Sequence, residues 1–215
     1  GLPMGVSGNS EIGHMTIGSG RVLKNDLVRI NESINDDNLK LNLNLTNFLQ
    51  SLKLREGNLH LIGLVSDGAV HSDFKHIIPI IEIAQTFNIQ NIYLHAITDG
   101  RDTSPYGGVN YIKNLEEDFK RYQNVQIATI IGRYFAMDRD QRWERTEKAY
   151  RLFIENNGKI FSSATKAIEE SYKNKITDEF IEPIVLDKYK SNKINTNDGI
   201  ICFNYRSDRM RQICP

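Results

Sequence analysis

The chain has 215 residues with 27 basic and 27 acidic side chains, so its formal net charge is zero; 40 % of its residues are hydrophobic and 25 % charged. That balance describes a soluble globular chain with a sizeable core, and it argues against a general nucleic-acid surface or a charged membrane face. Two cysteines, Cys202 and Cys214, make no disulfide framework or zinc pattern. No apolar run approaches the ~20 residues that span a bilayer, so a reducing, cytoplasmic setting is expected.

The first stretch with chemical character is Gly8-Asn9-Ser10-Glu11-Ile12-Gly13-His14, a hydroxyl crowded by polar groups between glycines. It reads either as a capping turn or as a loop presenting a nucleophilic serine, which needs a base, a metal ion or a helix N-terminus to be activated. Leu27, Ile30 and Ile34 then follow at helical spacing, and residues 36–54 read as a second helix. From Leu59 the pattern changes to a short apolar run ending in Ser66-Asp67-Gly68, which suits a buried parallel strand. Residues 74–87 read as helix, 92–97 as strand, 108–122 as helix and 125–131 as strand, the alternation of βαβ units. Helical spacing returns at 143–154 and 164–172. Residues 173–197 read as loop with an edge strand at 184–186 and a mobile segment at 188–197, and residues 199–203 as a last buried strand. The expected fold is α/β, a mostly parallel sheet flanked by helices in three layers.

Each of the four buried strands runs into a polar cluster at its carboxyl end, and in a parallel sheet those ends share the edge where ligands bind. Arg101, Arg133, Arg139, Arg206 and Arg209 are thereby expected to meet His71 and Asp102 in one cleft. Guanidinium groups suit bidentate capture of carboxylate and phosphate, so the cleft points to a small, highly anionic ligand. Asp102 is placed to accept or return a hydroxyl proton. Taken singly, each arginine also fits a surface ion pair, with Asp138, Asp140 and Asp208 as partners, and His71 fits a structural histidine.

Five segments in this order resemble the 2,3-bisphosphoglycerate-independent phosphoglycerate mutases. They are Gly8 to His14, Ser66-Asp67-Gly68-Ala69-Val70-His71-Ser72, Asp99-Gly100-Arg101-Asp102-Thr103, residues 132–145 with Gly132-Arg133-Tyr134-Phe135-Ala136-Met137-Asp138-Arg139-Asp140, and Asn204-Tyr205-Arg206-Ser207-Asp208-Arg209. The resemblance implies a metal-binding domain like alkaline phosphatase with a transferase domain inserted into it. Residues 1–22 would be a flank of the former and 23–215 the transferase domain. It implies Ser10 as the nucleophile that becomes phosphoserine and contacts one of two manganese ions. It implies His71, Arg101, Asp102, Arg133, Arg139, Arg206 and Arg209 as substrate-binding positions, with Asp102 also managing the hydroxyl proton. The implied reaction interconverts 3-phosphoglycerate and 2-phosphoglycerate in a monomeric enzyme with neither nucleic-acid nor membrane partners. The family's other manganese ligands and its catalytic lysine find no match here, and the chain starts at Gly1 and stops at Pro215. A partial segment that binds phosphoglycerate without turning it over is therefore expected. A non-catalytic anion-binding module and a sugar-phosphate mutase are the alternatives.

Overall fold

A computed structural model of the chain describes residues 10–214, with side chains from residue 13 onward. Six strands form one sheet in the order β4-β5-β3-β2-β1-β6, where β1 is Leu59–Leu64, β2 Ile92–Thr98, β3 Val125–Gly132, β4 Lys159–Phe161, β5 Ile184–Leu186 and β6 Gly199–Cys202. All neighbours are parallel except β3 and β5. Eight α-helices are present among the described residues: α1 Ser10–Ser19, α2 Asp26–Asn35, α3 Leu43–Leu54, α4 Ile77–Thr86, α5 Gly108–Phe119, α6 Arg133–Ala136, α7 Trp143–Glu155 and α8 Ala164–Lys173.

Both faces of the central strands are covered, which is why their sequences are continuously apolar rather than alternating. Leu59 and Leu61 of β1 and Ile92 and Leu94 of β2 pack with Leu49 and Leu52 of α3, Ile77 and Ile81 of α4, and Ile112 and Leu115 of α5. Ile62 and Leu64 of β1 and Tyr93 and Ile97 of β2 join the other core with Ala149, Leu152 and Phe153 of α7. The register of β2 on β3 slips between Leu94 and His95. Beyond that bulge, Ile130 faces the first core and Ile131 the second. Thr129 consequently stands beside His95, whose Nδ1 lies 2.8 Å from its hydroxyl, and His60 Nδ1 lies 2.9 Å from His95 Nε2. These three fully buried polar groups run across the sheet and end on Asp198, 3.3 Å from His60 Nε2.

Several local expectations are corrected. Residues 10–14, read as a loop, open α1, while Gly8 and Asn9 lie outside the described residues. The single helix expected over 36–54 is divided by Asn42, which takes an extended conformation and accepts the Leu45 N–H through its side chain. Only a 3-10 turn, Leu39–Leu41, precedes it. The helix expected from residue 74 likewise starts as a 3-10 turn, Phe74–His76. β5 was expected at an edge, but β4 covers it, and the outer edges are β4 and β6. β6 is therefore less buried than its apolar sequence suggests, with Ile200 42 % exposed. The segment at 188–197 is anchored at its start by the fully buried Tyr189, and Asp198 just behind it accepts the backbone N–H groups of Asn58 and Asn195.

The turn feeding β5 is wedged beneath the carboxyl end of β3. Gly132 N–H donates to Ile181 O at 2.7 Å, and a Cβ on Gly132 would overlap the backbone of Glu179 and Ile181. Gly132→Ala is expected to cost about 1–3 kcal/mol by overpacking. At about 2–4 °C per kcal/mol for a chain of this size, the loss is readable in a thermal melt. An unchanged Tm would mean that the turn moves aside freely.

Candidate functional site

The carboxyl ends of β1, β2, β3 and β6 share one edge because these strands are mutually parallel. After β1 the chain turns through Ala69, held at a φ of 54°, and brings in His71, which is 3 % exposed. Two bonds fix that turn: Ser72 Oγ donates to Leu64 O at 2.5 Å, and Tyr205 N–H donates to His71 O at 3.0 Å. After β2, Asp99 accepts the N–H groups of Arg101 and Asp102 at 3.1 and 3.0 Å, so its carboxylate shapes the turn that carries both. Ser66 Oγ donates to the same carboxylate at 2.7 Å. After β3, helix α6 begins directly at Arg133, which is 3 % exposed. Beyond α6, Asp138 accepts the N–H groups of Asp140 and Arg142, each at 3.0 Å, and holds the turn that bears Arg139. After β6, Asn204 accepts the Leu64 N–H at 2.9 Å and leads into the 3-10 turn Ser207–Arg209.

These ends meet through their charges. One guanidinium nitrogen of Arg133, Nη1, donates to both Asp99 Oδ1 at 2.7 Å and Asp102 Oδ2 at 2.5 Å. His71 Nε2 stands 3.7 Å from Asp102 Oδ2, and His71 Nδ1 stands 3.9 Å from Asp208 Oδ1. Asp208 pairs in turn with Arg206 at 2.9 Å and Arg139 at 3.3 Å. Arg209 donates to Met137 O at 3.1 Å. Arg101 faces Glu179 at 3.8 Å with its side chain 56 % exposed, which puts it at the rim.

The titration of these groups follows from burial and neighbours. Burial, with the charges of Arg133 and Arg206, pushes His71 down to about 4 against the pull of Asp102 and Asp208. At neutral pH His71 is therefore a neutral imidazole, and the two carboxylates near it make no ion pair with it. Among the described residues its buried Nδ1 has no hydrogen-bond partner. Burial alone would raise Asp99, but the bonds from the Asp102 N–H, Ser66 and Arg133 hold it below the ordinary aspartate range. Burial, then the charges of Arg139, Arg133 and Arg101, lowers the Arg209 guanidinium, so Arg209 sits within reach of three other arginines.

Of the residues singled out from the sequence, His71, Asp102, Arg133, Arg139 and Arg206 are linked through this chain of contacts, and Arg101 and Arg209 are joined to it by charge. Ser10 opens α1, and its side chain lies outside what the structure describes. Among the proposed arginine partners, Asp208 takes two cleft arginines, whereas Asp138 faces Arg145 at 3.5 Å. Sequence analysis did not single out Asp99, although it holds Arg133, Arg101 and Asp102 together. The signal available was the hydroxyl of Ser66 at the equivalent end of the neighbouring strand.

Among the described residues no group of three or more His, Cys, Asp or Glu side chains could hold a metal ion. The carboxylates nearest His71 are each engaged by guanidinium groups, so this donor set does not fit a manganese centre.

Comparison with known proteins bears on the family and the fold. The family model described as "BPG-independent PGAM N-terminus" matches residues 30–215. A 2,3-bisphosphoglycerate-independent phosphoglycerate mutase from Rippkaea orientalis is 45 % identical over 214 residues, covering 100 % of this chain and 40 % of the relative. Its counterpart from Gracilaria tenuistipitata var. liui is 47 % identical, covering 99 % of this chain and 41 % of the relative. The chain thus spans about 40 % of the length of these curated relatives. A crystal structure of Leishmania mexicana phosphoglycerate mutase at low cobalt concentration superimposes with a TM-score of 0.87 at 30 % identity, over 96 % of this chain and 40 % of that one. With the α/β sheet, the arginine-lined edge and a family match over most of its length, the chain belongs to the BPG-independent PGAM N-terminus family.

Proposed function

We propose that the chain is the substrate-binding part of a phosphoglycerate mutase that interconverts 3-phosphoglycerate and 2-phosphoglycerate through a phosphoserine on Ser10. The observation that carries this reading is the gathering of Arg133, Arg139, Arg206 and Arg209 around neutral His71 and Asp102 at one sheet edge. A ligand with a carboxylate and a phosphate a few bonds apart satisfies guanidinium forks at both ends. Phosphoryl transfer itself asks mainly for positioning and charge neutralisation.

In this scheme Arg139, Arg206 and Arg209 bind the anionic groups, with Arg101 reaching in from the rim. Arg133 fixes Asp102, whose side chain is 23 % exposed and so open to a bound hydroxyl. Asp102 takes the proton from the hydroxyl that receives the phosphoryl group and returns it to the one that loses it. The imidazole of His71, set between Asp102 and Asp208, is assigned one further contact with the ligand. Ser10 would carry the phosphoryl group while the glycerate turns in the cleft. Residues 23–215 act as the transferase domain and 1–22 as a flank of a second domain, which would provide the manganese ligands of a cytoplasmic, monomeric enzyme.

Titration calorimetry with 3-phosphoglycerate tests the cleft. Arg139→Ala and Arg206→Ala are each expected to weaken binding at least about tenfold, the worth of a charge-assisted hydrogen bond. Wild-type affinity in both would sink the assignment. An anion-binding module without chemistry would bind equally well, and mass spectrometry separates the two readings. Ser10 acquires a phosphoryl group in the longer parent protein mixed with substrate under the first reading and stays bare under the second.

A further inference from the structure

The last strand and the chain that follows it carry a pair of thiols that the proposed reaction does not use. Cys202 is the final residue of β6, partly buried, and Cys214 is exposed; neither is in a disulfide. Their sulfurs nevertheless stand 3.1 Å apart. Between them runs the loop with Asn204, Arg206, Asp208 and Arg209, folded back by the bonds from the Ile213 and Cys214 N–H groups to Met210 O at 3.2 and 2.8 Å. Two cysteines far apart on an extended loop would meet only rarely, whereas here backbone hydrogen bonds already hold them side by side.

We propose that Cys202 and Cys214 are a modification site, oxidised by peroxide to an intramolecular disulfide that closes a ring around the arginine-bearing loop. The inference is independent of the substrate assigned to the cleft. The two thiols are not equivalent. The hydrogen bond from Cys202 brings the Cys214 thiol down to about 7, and the same bond with burial pushes Cys202 up. Cys214 is thus the exposed thiolate that meets the oxidant, and Cys202 is the resolving thiol beside it. In the first step the Cys214 thiolate attacks one peroxide oxygen, the O–O bond breaks, and hydroxide leaves a sulfenic acid on Cys214. In the second, Cys202 Sγ attacks that sulfur, the S–O bond breaks, and the departing hydroxyl takes the thiol proton as water. Two thiols have then lost two electrons and two protons, and one peroxide has become two waters. The sulfurs need to approach by only about 1 Å to reach bonding distance.

The ring encloses a segment tied to its surroundings by the Leu64 bond to Asn204, the Tyr205 N–H bond to His71 O, the Arg209 bond to Met137 O and the Gln212 bond to Asp138, and oxidation adds a covalent closure to these. It also contains three tryptic sites, Arg206, Arg209 and Arg211. Cleavage there reports how often the loop opens.

The experiment treats the protein with hydrogen peroxide, blocks remaining thiols with iodoacetamide and maps peptides without reduction. The expected product is a cross-link between Cys202 and Cys214 within one chain, lighter by two hydrogen atoms and reversed by dithiothreitol. Trypsin should cut within the ring several-fold more slowly in the oxidised protein, with reduction restoring the rate. Cys202→Ser should stop the reaction at a sulfenic acid on Cys214 that dimedone traps. The wild-type comparison with and without reductant needs no variant to fold. Two alkylated thiols after peroxide, cross-links only between chains, or an unchanged tryptic rate would each overturn the proposal.

Discussion

Arg133→Ala is expected to remove 3-phosphoglycerate binding altogether and to destabilise the chain by about 3–5 kcal/mol, the cost of stripping one partner from a buried ion pair. Arg133 and Asp99 are 3 % and 2 % exposed, so little water could replace the lost guanidinium. Asp99 would be left as an uncompensated buried charge, and the turn it organises through the Arg101 and Asp102 N–H groups would loosen with it. Binding and stability can be separated with Arg133→Lys. Both carboxylate bonds come from one nitrogen, Nη1, so an ammonium can stand between Asp99 and Asp102, but it lacks the planar fork. The lysine variant is expected to recover much of the stability and little of the affinity. Urea unfolding and calorimetry on the two variants check this. An alanine variant within 1 kcal/mol of wild type, on the scale of an ordinary surface pair, would contradict the buried-pair account.

The second large effect is on pH. Burial is the leading cause that depresses His60, His71, His76 and His95 in the folded chain. Above about pH 6.5, the ordinary histidine value, these rings are neutral in both states and contribute no slope. Below it the unfolded chain takes up protons that the native chain refuses, so stability must fall as the solution is acidified. His71 stays neutral down to about 4. It alone withdraws about 3 kcal/mol between pH 6.5 and 4, at roughly 1.4 kcal/mol per pH unit. The carboxylates held low, Asp99, Asp198 and Asp208, add their loss only at still lower pH, below the unfolded aspartate value. Urea midpoints at pH 7, 6 and 5 should decline steadily, and His71→Asn should shallow the slope by one proton. A flat wild-type profile across that range would refute the burial argument.

What the sequence made legible follows from the physics of each element. β1, β2 and β3 could be read because a strand covered on both faces needs apolar residues on both, interrupted here only by His60, His95 and Thr129, which bond to one another, and by a few further polar positions. The cleft could be read because parallel strands bring their carboxyl ends together wherever polar clusters follow them. Asn42 was lost inside a helical pattern because an asparagine is equally compatible with a helix surface and a cap, and only the Leu45 N–H it accepts decides between them. β4 left almost no trace, being three residues long with Lys159 and Ile160 exposed. The direction of β5 was likewise hidden, since three apolar residues fit either orientation. Asp99 was undervalued because an Asp-Gly pair looks like turn chemistry, and its burial is visible only in three dimensions. The histidines of β1 and β2 disappeared into apolar runs, and the bulge that brings Thr129 beside His95 has no local sequence signature.

The pairing of Arg133, Arg139 and Arg206 with Asp99, Asp102 and Asp208 has one more consequence. Without ligand, the cleft is an internal salt whose counterions are side chains of the chain itself. If the cleft takes the proposed ligand, an incoming anion would act as in ion exchange, taking over guanidinium groups from Asp208 while Asp99, buried at the base, keeps its hold on Arg133. The displaced aspartate would turn toward solvent, and much of the favourable Coulomb energy would be returned in parting it from its arginines. Such a cleft would grip its ligand less tightly than bare arginines, and it would let an anion shift from one guanidinium to the next without leaving, because each departing group would find a carboxylate ready to take its place.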